Sequence, residues 1–321
     1  MPLRILTWHV HGSYLYYLTQ APHEFYLPVK PGKPEGYGGR SGNFPWGDNV
    51  HDIAADEVRH QSFDCILFQS RRNYLQDQYE ILSLTQQQLP RLYLEHDPPR
   101  EHPTDTPHIV DDPAILLVHV THFNRLMWDN GQTPTCVIEH GVMVPDHVHY
   151  SGELDCGIVV INGLKKRGRR LGADLFEQVR RTIPLDLVGM DAESLGGLGD
   201  IAHTQLPPFE ARYRFFFHPV RYTSLGLAVC EAMMLGLPII GPATTELVTV
   251  VENDISGYVH TDVEVLIEHM QALLADPAKA RRLSAGARDQ ARSRFHITRF
   301  VQDWNDAFER VVSRPLMPAA G

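Results

Sequence analysis

Short apolar runs alternate with longer amphipathic stretches along this chain, and turn residues separate them. Apolar or β-branched runs bounded by Pro, Gly or Asp are typical of buried strands, whereas apolar positions three and four residues apart are typical of helices. The first half predicts strands over 4–11, 25–29, 63–68, 89–95, 114–120 and 136–139, with a helix over 70–88. The second half predicts strands over 156–161, 185–188, 214–218, 237–240 and 257–260, with helices over 171–182, 224–235 and 262–275. This alternation is typical of parallel, doubly wound α/β sheets.

The pattern restarts near residue 156, so it predicts two domains. Turn residues between 145 and 155 interrupt it, which places a first domain at 1–150 and a second at 151–297. The tail predicts two helices, over 278–294 and 298–311. The second of these carries one apolar stripe, so we expect the segment 298–321 to pack back on the first domain.

Composition narrows the function classes. The 321 residues are 43% hydrophobic and 21% charged, as in ordinary globular proteins, and the net charge is -10. A protein that binds duplex nucleic acid usually shows a basic excess, so no nucleic-acid partner is expected. The sequence has no apolar run long enough for a transmembrane helix and no secretory signal pattern at its start, so a cytoplasmic location is expected.

Neither the cysteines nor the histidines form a recognised metal-binding pattern. The four cysteines show no CxxC spacing. Two close histidine pairs, His119/His122 and His147/His149, raise the alternative of a metal site, but neither lies in an HExxH sequence. Solvated or hydrogen-bonded histidines are the ordinary interpretation, and we predict no metal ligands.

Two long loops stand out, at 30–47 and 97–113. Loops of this length inside a compact domain are often functional. The first is rich in glycine and carries Tyr37 and Trp46, which could stack on an acceptor sugar ring or serve as packing anchors. Both interpretations stay open at this stage.

Residues 216–240 are the most informative segment and predict a strand, a turn, a helix and a second strand. Thr223 or Ser224 is expected to cap the helix. Gly226 keeps its first turn clear of a side chain, so that unpaired backbone N–H groups can bind a phosphate. Glu231 lies on the core side of this helix, where a carboxylate needs a partner: a structural ion pair, or the hydroxyl groups of a ribose.

This segment resembles the signature of the retaining, two-domain (GT-B) glycosyltransferases of family 4, the group 1 glycosyl transferases. That signature is Pro-Ser-x-x-Glu-Gly-Phe-Gly-Leu-x-x-x-Glu-Ala-Met-x-x-Gly-x-Pro-Val-Val. The matching positions are Pro219, Gly226, Leu227, Glu231, Ala232, Met233, Gly236 and Pro238. The resemblance is strong over about 210–296 and weaker elsewhere, as at Glu95-His96-Asp97 and at Val137–Val142. It implies two Rossmann-like domains facing a cleft, with a C-terminal helix that crosses back.

The resemblance also implies roles for residues of the second domain. Glu231 would hold the ribose of a nucleotide sugar, and Ser224, Leu225 and Gly226 would also contact this donor. Thr223 stands where the family has its first glutamate, which contacts the donor hexose, so the identity of the sugar is in doubt.

A run of basic residues precedes a predicted helix in the second domain. By resemblance, Arg169 and Arg170, followed by Lys165, would neutralise the leaving diphosphate. A solvated loop, or a contact with nucleic acid or anionic lipid, is the alternative.

In the first domain the resemblance points to three positions. His96 follows a predicted strand as the family's active-site histidine does. Gly12 follows the first strand, where the donor approaches the backbone. His11 beside it is a candidate contact for the acceptor.

Together these features predict an enzyme that transfers a hexose from a nucleotide-diphosphate sugar to a hydroxyl group of a glycan, a glycolipid or a small molecule. The resemblance implies retention of configuration, and we expect neither a metal nor another cofactor. Two alternatives stay open: a nucleotide-sugar-binding protein without turnover, and an inverting transferase of the same fold. A nicotinamide-dependent oxidoreductase is disfavoured, because no GxGxxG sequence follows a strand. A lipid-linked acceptor, with peripheral contact at the inner membrane face, also stays open.

Overall fold

Two parallel β-sheets form the centres of two separate units in this computed structural model, which describes residues 1–313. The first unit comprises Met1–Glu139 together with the chain from Ile297 onward, and the second comprises His140–His296. Of the segment 298–321 that is predicted to pack on the first domain, residues 314–321 lie outside the described residues.

The sheet of the first unit has seven strands in the order β3-β2-β1-β4-β5-β6-β7, and every neighbouring pair is parallel. The strands are β1 (Arg4–Thr7), β2 (Glu24–Val29), β3 (Val50–Ala54), β4 (Cys65–Phe68), β5 (Arg91–Glu95), β6 (Ile115–His119) and β7 (Thr135–Val137). The chain winds outward from β1 to β3 and then restarts at β4 on the other side of β1. In such sheets, ligands bind beyond the carboxyl ends of the strands where the winding direction changes, here β1 and β4.

The helices of the first unit are α1 (Gly12–Leu18), α2 (Gln78–Ile81), α3 (His122–Met127) and the last helix of the chain, α11 (Ile297–Val312). The apolar stripe of α11 is buried, including Phe300, Trp304 and Phe308. The Trp304 indole N–H donates to the Tyr14 hydroxyl on α1 at 3.2 Å. This helix, which is distant in sequence, therefore completes the core of the first unit.

The sheet of the second unit has five parallel strands in the order β12-β11-β10-β8-β9. The strands are β8 (Leu154–Val160), β9 (Leu185–Val188), β10 (Tyr213–Phe217), β11 (Ile239–Pro242) and β12 (Gly257–His260). The helices are α4 (Leu164–Arg167), α5 (Ala173–Val179), α6 (Leu206–Glu210), α7 (Leu227–Leu235), α8 (Leu247–Val250), α9 (Val263–Ala275) and α10 (Pro277–Arg294). The winding direction changes between β8 and β10, so the segments that follow these two strands are where a ligand is expected.

The predicted fold class, two Rossmann-like doubly wound domains, is confirmed. Several details differ. The helix predicted over 70–88 is present only over 71–81, where a π-helical turn at Asn73–Asp77 leads into α2, and a 3-10 turn follows at Gln86–Gln88. The sequence pattern missed β3, which follows the glycine-rich loop, and α1.

The two units divide between Glu139 and His140, ahead of the turn residues at 145–155. Val142 already belongs to the second unit, because it forms a β-bridge with His296 and its N–H donates to the Phe295 carbonyl at 2.9 Å. The segments at which the chain enters and leaves the second unit are thus joined to each other by backbone pairing.

Within residues 1–313, no helix is both long and apolar enough to cross a lipid bilayer. The same residues bring together no group of three or more side chains suited to hold a metal ion. His119, from one of the two close histidine pairs, is buried, and its Nε2 lies 2.8 Å from Oδ1 of Asn130.

We expect acid to destabilise the fold through buried histidines. Burial lowers the pKa of His119 and of His218 from 6.5 to about 4. Between these values the unfolded chain binds protons that the folded chain does not, so the free energy of unfolding should fall as pH falls from 6.5 to 4. The loss is at most about 1.4 kcal/mol per pH unit for each imidazole.

Denaturant titrations across this pH range measure the effect. His119→Gln, which keeps a donor for Asn130 but does not titrate, should lose less stability on acidification than the wild type. The exposed His122→Gln is the matched surface variant. Equal pH slopes for wild type and His119→Gln would contradict the expectation.

Candidate functional site

The turn between β10 and α7 leaves its backbone amides available. We call residues 218–226, which connect the two elements, the donor loop. Gly226 is the N-cap of α7 with extended dihedrals (φ -76°, ψ 141°), and no side chain caps the helix. The prediction that Thr223 or Ser224 caps α7 is therefore wrong, because the helix begins at Leu227, too far along the chain for either hydroxyl to cap it.

Consecutive N–H groups at 224–228 donate to no acceptor in the described part of the chain. The first bond of the turn runs from the Val229 N–H to the Gly226 carbonyl at 3.1 Å. A Cβ placed on Gly226 would meet only Cε1 of His218, at 3.9 Å, so the space in front of the turn is open. Unpaired amides converging at a helix N-terminus form an anion site.

The basic segment after β8 packs directly on the donor loop. It consists of α4 and a 3-10 turn at Gly168–Leu171. The Arg170 carbonyl accepts hydrogen bonds from the N–H groups of Arg221 at 3.0 Å and Tyr222 at 3.2 Å. Gly172 has φ +82°, and a Cβ there would lie 2.0 Å from the Pro219 carbonyl oxygen. Only glycine permits this close approach.

The two predicted arginines of this segment differ in whether a carboxylate pairs with them. Arg169 is 76% exposed and pairs with Asp174 at 2.5 Å. Arg221, which the sequence reasoning did not single out, binds the same carboxylate through two hydrogen bonds of 2.6 and 2.9 Å and holds the pKa of Asp174 below its ordinary value. Arg170 has no side-chain partner within residues 1–313. Of the two predicted arginines, Arg170 is therefore the one whose charge is not offset by a carboxylate.

Lys165 is engaged away from the donor loop. Its Nζ donates to the Ser194 carbonyl at 3.2 Å. The ammonium lines a cavity of about 530 Å³ together with Arg180 and Arg181. The structure therefore does not bring Lys165 to the turn at which the other predicted donor residues gather.

Glu231 has a second carboxyl group beside it. Glu231 is 9% exposed on α7, and Glu210, on the adjacent α6, is fully buried with no hydrogen-bond partner at its Oε2. Burial raises the pKa of Glu210 well above its ordinary value, and the charge of Glu231 raises it further. Glu210 therefore favours its protonated form beside the Glu231 carboxyl group. The sequence missed Glu210 because it lies outside the conspicuous segment.

In the first unit, the predicted residues gather at the carboxyl ends of β1 and β5. His11 is exposed at the N-cap of α1, and its ring lies 4.2 Å from that of His96 between centroids. His96 Nε2 lies 3.3 Å from Gln69 Oε1. A Cβ on Gly12 would lie 2.8 Å from the ring of Phe44, so packing by the glycine-rich loop already explains this glycine.

The two aromatic candidates of the glycine-rich loop are packing residues in this structure. Tyr37 is completely buried, with Nζ of Lys30 lying 3.9 Å from its ring centroid. Of the two interpretations left open for Tyr37, the packing anchor is correct, and stacking on an acceptor is excluded because the ring is fully buried. Trp46 is half-buried in a cluster with Phe44 and Tyr16 and buries its indole N–H without a partner.

The crowding at Gly172 predicts a specific loss of stability. Gly172→Ala should displace Pro219 and destabilise the protein by more than the roughly 1 kcal/mol that a left-handed alanine costs. Gly163 is the matched control: it is also left-handed, and the nearest atom to its Cβ position is 4.0 Å away. Denaturant unfolding of Gly172→Ala and Gly163→Ala compares the two, and equal losses would refute the close-packing argument.

The buried Glu210 carboxyl predicts a pH effect of the opposite sign to that of the histidines. Its pKa is raised on folding, so its contribution to stability is complete below about pH 4.5 and is lost as pH rises through the raised pKa. Glu210→Gln removes this titration and should flatten the decline of the unfolding free energy above pH 4.5. The exposed Glu177→Gln is the control, and an unchanged slope in Glu210→Gln would show that the carboxyl does not titrate as inferred.

Comparisons with known proteins agree with this geometry. A family model described as "Glycosyl transferases group 1" matches residues 175–276, which include β10, the donor loop and α7. No curated protein matches the chain.

Among solved structures, a sucrose-phosphate synthase from Thermosynechococcus elongatus aligns with TM-score 0.69 and 15% identity, over 97% of this chain and 98% of its own. The Anabaena protein HepE, solved in complex with UDP and glucose, aligns with TM-score 0.69 and 13% identity, over 96% of this chain and 100% of its own. AviGT4, a glycosyltransferase involved in avilamycin A biosynthesis, aligns with TM-score 0.61 and 13% identity, over 97% of this chain and 98% of its own. The chain therefore has the two-domain GT-B fold of known glycosyltransferases, and residues 175–276 match the group 1 glycosyltransferase domain.

Proposed function

We propose that this protein is a glycosyltransferase that moves a hexose from a nucleotide-diphosphate sugar to a hydroxyl acceptor. The observation that carries the proposal is the row of unpaired amides at 224–228, packed against the segment that contains Arg170. These residues belong to a segment that resembles group 1 glycosyltransferases in sequence. Structures of HepE with UDP and with UDP-glucose support the choice of donor class.

In the proposed reaction, the second domain stabilises the negative charge of the leaving diphosphate. When the bond between the anomeric carbon and the diphosphate oxygen breaks, negative charge develops on the leaving group. The amides at 224–228 and the Arg170 guanidinium supply fixed positive charge there, which is worth most in a site that excludes water. Arg169 contributes less, because Asp174 shares its charge.

The remaining donor contacts follow from the placement of side chains near the turn. Glu231 accepts hydrogen bonds from the ribose hydroxyls, and its neighbour Glu210 favours the protonated form. The Thr223 and Ser224 hydroxyls, which bind no other group within residues 1–313, donate to the hexose or the phosphate.

We propose a retaining reaction in which the acceptor oxygen attacks from the same face as the leaving group departs. The new bond joins the acceptor oxygen to the anomeric carbon, and the hydroxyl proton passes to the departing diphosphate oxygen. This route requires neither a carboxylate nucleophile nor a metal, and the resemblance to family 4 supports it. Retained turnover in a chelator such as EDTA tests the metal-independent part.

We propose that the first domain binds the acceptor, with His96 near the transferred sugar. Gln69 fixes the tautomer of His96. Its amide nitrogen donates to the Thr7 hydroxyl at 2.8 Å and to the Trp8 carbonyl at 2.9 Å, so its oxygen accepts from His96 Nε2–H. We propose a glycan, a glycolipid or a small molecule as the acceptor. We also propose that the enzyme is cytoplasmic and contacts the inner membrane face peripherally.

One observation favours a second candidate, a binding protein without turnover. Thr223 carries no charge at the position where the resembling family has a glutamate that contacts the hexose. Nucleotide-sugar binding in calorimetry, with no product or hydrolysis from any donor, would establish this alternative. Analysis of the anomeric centre of the product by NMR separates the retaining reaction from an inverting one.

A thermal-shift screen of UDP-, GDP-, ADP- and TDP-sugars, followed by radiolabelled transfer or hydrolysis with the best donor, tests the proposal. Arg170→Gln should lower kcat/KM by about 10- to 100-fold, since a charge-assisted contact to a phosphate is worth roughly 1.5–3 kcal/mol. Glu231→Ala should weaken binding of the nucleotide. Arg181→Gln, in the cavity beside Lys165, is the matched control. The proposal fails if no nucleoside diphosphate binds and no donor is turned over.

A further inference from the structure

His140 holds the peptide unit that leads into α7. Its Nε2 lies 2.6 Å from the Leu225 carbonyl oxygen, across 85 positions of sequence, and both residues are 4% exposed. A carbonyl oxygen only accepts hydrogen bonds, so Nε2 carries the hydrogen. The sequence alone points only weakly to this residue. The segment Val137–Val142 resembles the family's Val-Ile-Pro-Asn-Gly-Val, and His140 stands in place of the asparagine.

The direction of the next amide follows from peptide geometry. In a planar trans peptide, the carbonyl oxygen of one residue and the N–H of the following residue point to opposite sides. Because His140 holds the Leu225 oxygen on the buried side, the Gly226 N–H is held on the opposite side. That N–H is one of the unpaired amides, and the space around Gly226 is open.

Within residues 1–313, no other hydrogen bond holds this peptide unit. The residue that follows it is glycine, whose backbone adopts many conformations, and no side chain caps the helix. The imidazole is itself well anchored, since the adjacent segment is tied to Phe295 through the Val142 N–H at 2.9 Å. One buried hydrogen bond therefore decides which way the amide faces.

We propose that His140 is a positioning residue for the diphosphate: it aims the Gly226 N–H at a phosphate oxygen of the donor nucleotide. This inference rests on the proposed function and deepens it. Without the donor on His140, the Leu225–Gly226 peptide can rotate, and an anion loses a preorganised contact. The nucleoside portion of the ligand does not use this amide, so its binding is independent of His140.

Calorimetric titration with paired ligands tests the assignment. UDP and uridine form the first pair, with GDP and guanosine, and ADP and adenosine, as parallel pairs. The variants are His140→Leu, which removes the donor, and His140→Gln, which keeps an N–H donor in a side chain of similar reach. His269→Leu, on α9 of the same unit, is the matched control. Thermal unfolding of each variant confirms that it is folded.

His140→Leu should weaken binding of the nucleoside diphosphate about fivefold and leave binding of the nucleoside unchanged, since one hydrogen bond is worth roughly 1 kcal/mol. His140→Gln should recover most of the loss. Equal weakening for diphosphate and nucleoside, or no weakening at all, would overturn the positioning role while leaving the proposed function intact. A wild-type protein that binds no nucleoside diphosphate would overturn both.

Should His140→Leu fail to fold, His140→Ala, which also removes the donor but is smaller, takes its place. Amide hydrogen exchange over 224–228 compares wild type, His140→Ala and His140→Gln, with and without UDP. Protection by UDP in the wild type and in His140→Gln, but less in His140→Ala, supports the inference. Equal protection in all three proteins contradicts it.

Discussion

A helix N-terminus without a side-chain cap is the constraint on which the candidate site depends. Ser, Thr, Asp and Asn are the preferred caps for the first amides of a helix, and Asp262 and Asp276 cap α9 and α10 in this way. α7 has a glycine as its N-cap, and its first amides are unpaired within residues 1–313. Such a turn is costly unless a ligand completes it, and the surrounding structure must hold it in place.

Contacts from distant parts of the second unit supply that support. The Gly172 backbone packs on Pro219, and the Arg170 carbonyl binds two amides of the donor loop. His140 holds the end of the same loop. The Gly172 and Arg170 contacts come from the segment that follows β8, and the His140 contact comes from the segment that precedes it. The loop is therefore held by segments on both sides of the strand that neighbours β10. This explains how a nine-residue connection can present an open row of donors without collapsing onto them.

The sequence was sufficient to predict the fold class and the position of the turn with unpaired amides, because both depend on local patterns. Strand–helix alternation predicts the doubly wound sheets, and the glycine at 226 marks the turn. The misses have one cause, which is tertiary packing. A glycine-rich loop that carries aromatic residues has the same sequence pattern whether its rings are exposed or buried, so the sequence left the role of Tyr37 open. Composition could not show that Asp174 binds Arg169 and Arg221 and leaves Arg170 alone.

The acidic net charge of the chain makes this local distribution of charge informative. At a net charge of -10, long-range attraction does not draw an anionic nucleotide to the protein. Binding must then come from short-range donors whose orientation is set in advance, since a preorganised amide or guanidinium loses little entropy when the ligand arrives. The buried Glu210 fits the same logic: by holding a proton in the core it adds no second negative charge beside Glu231. In the proposed function, this arrangement lets a carboxylate recognise the ribose with less repulsion of the nearby phosphates than two charged carboxylates would cause.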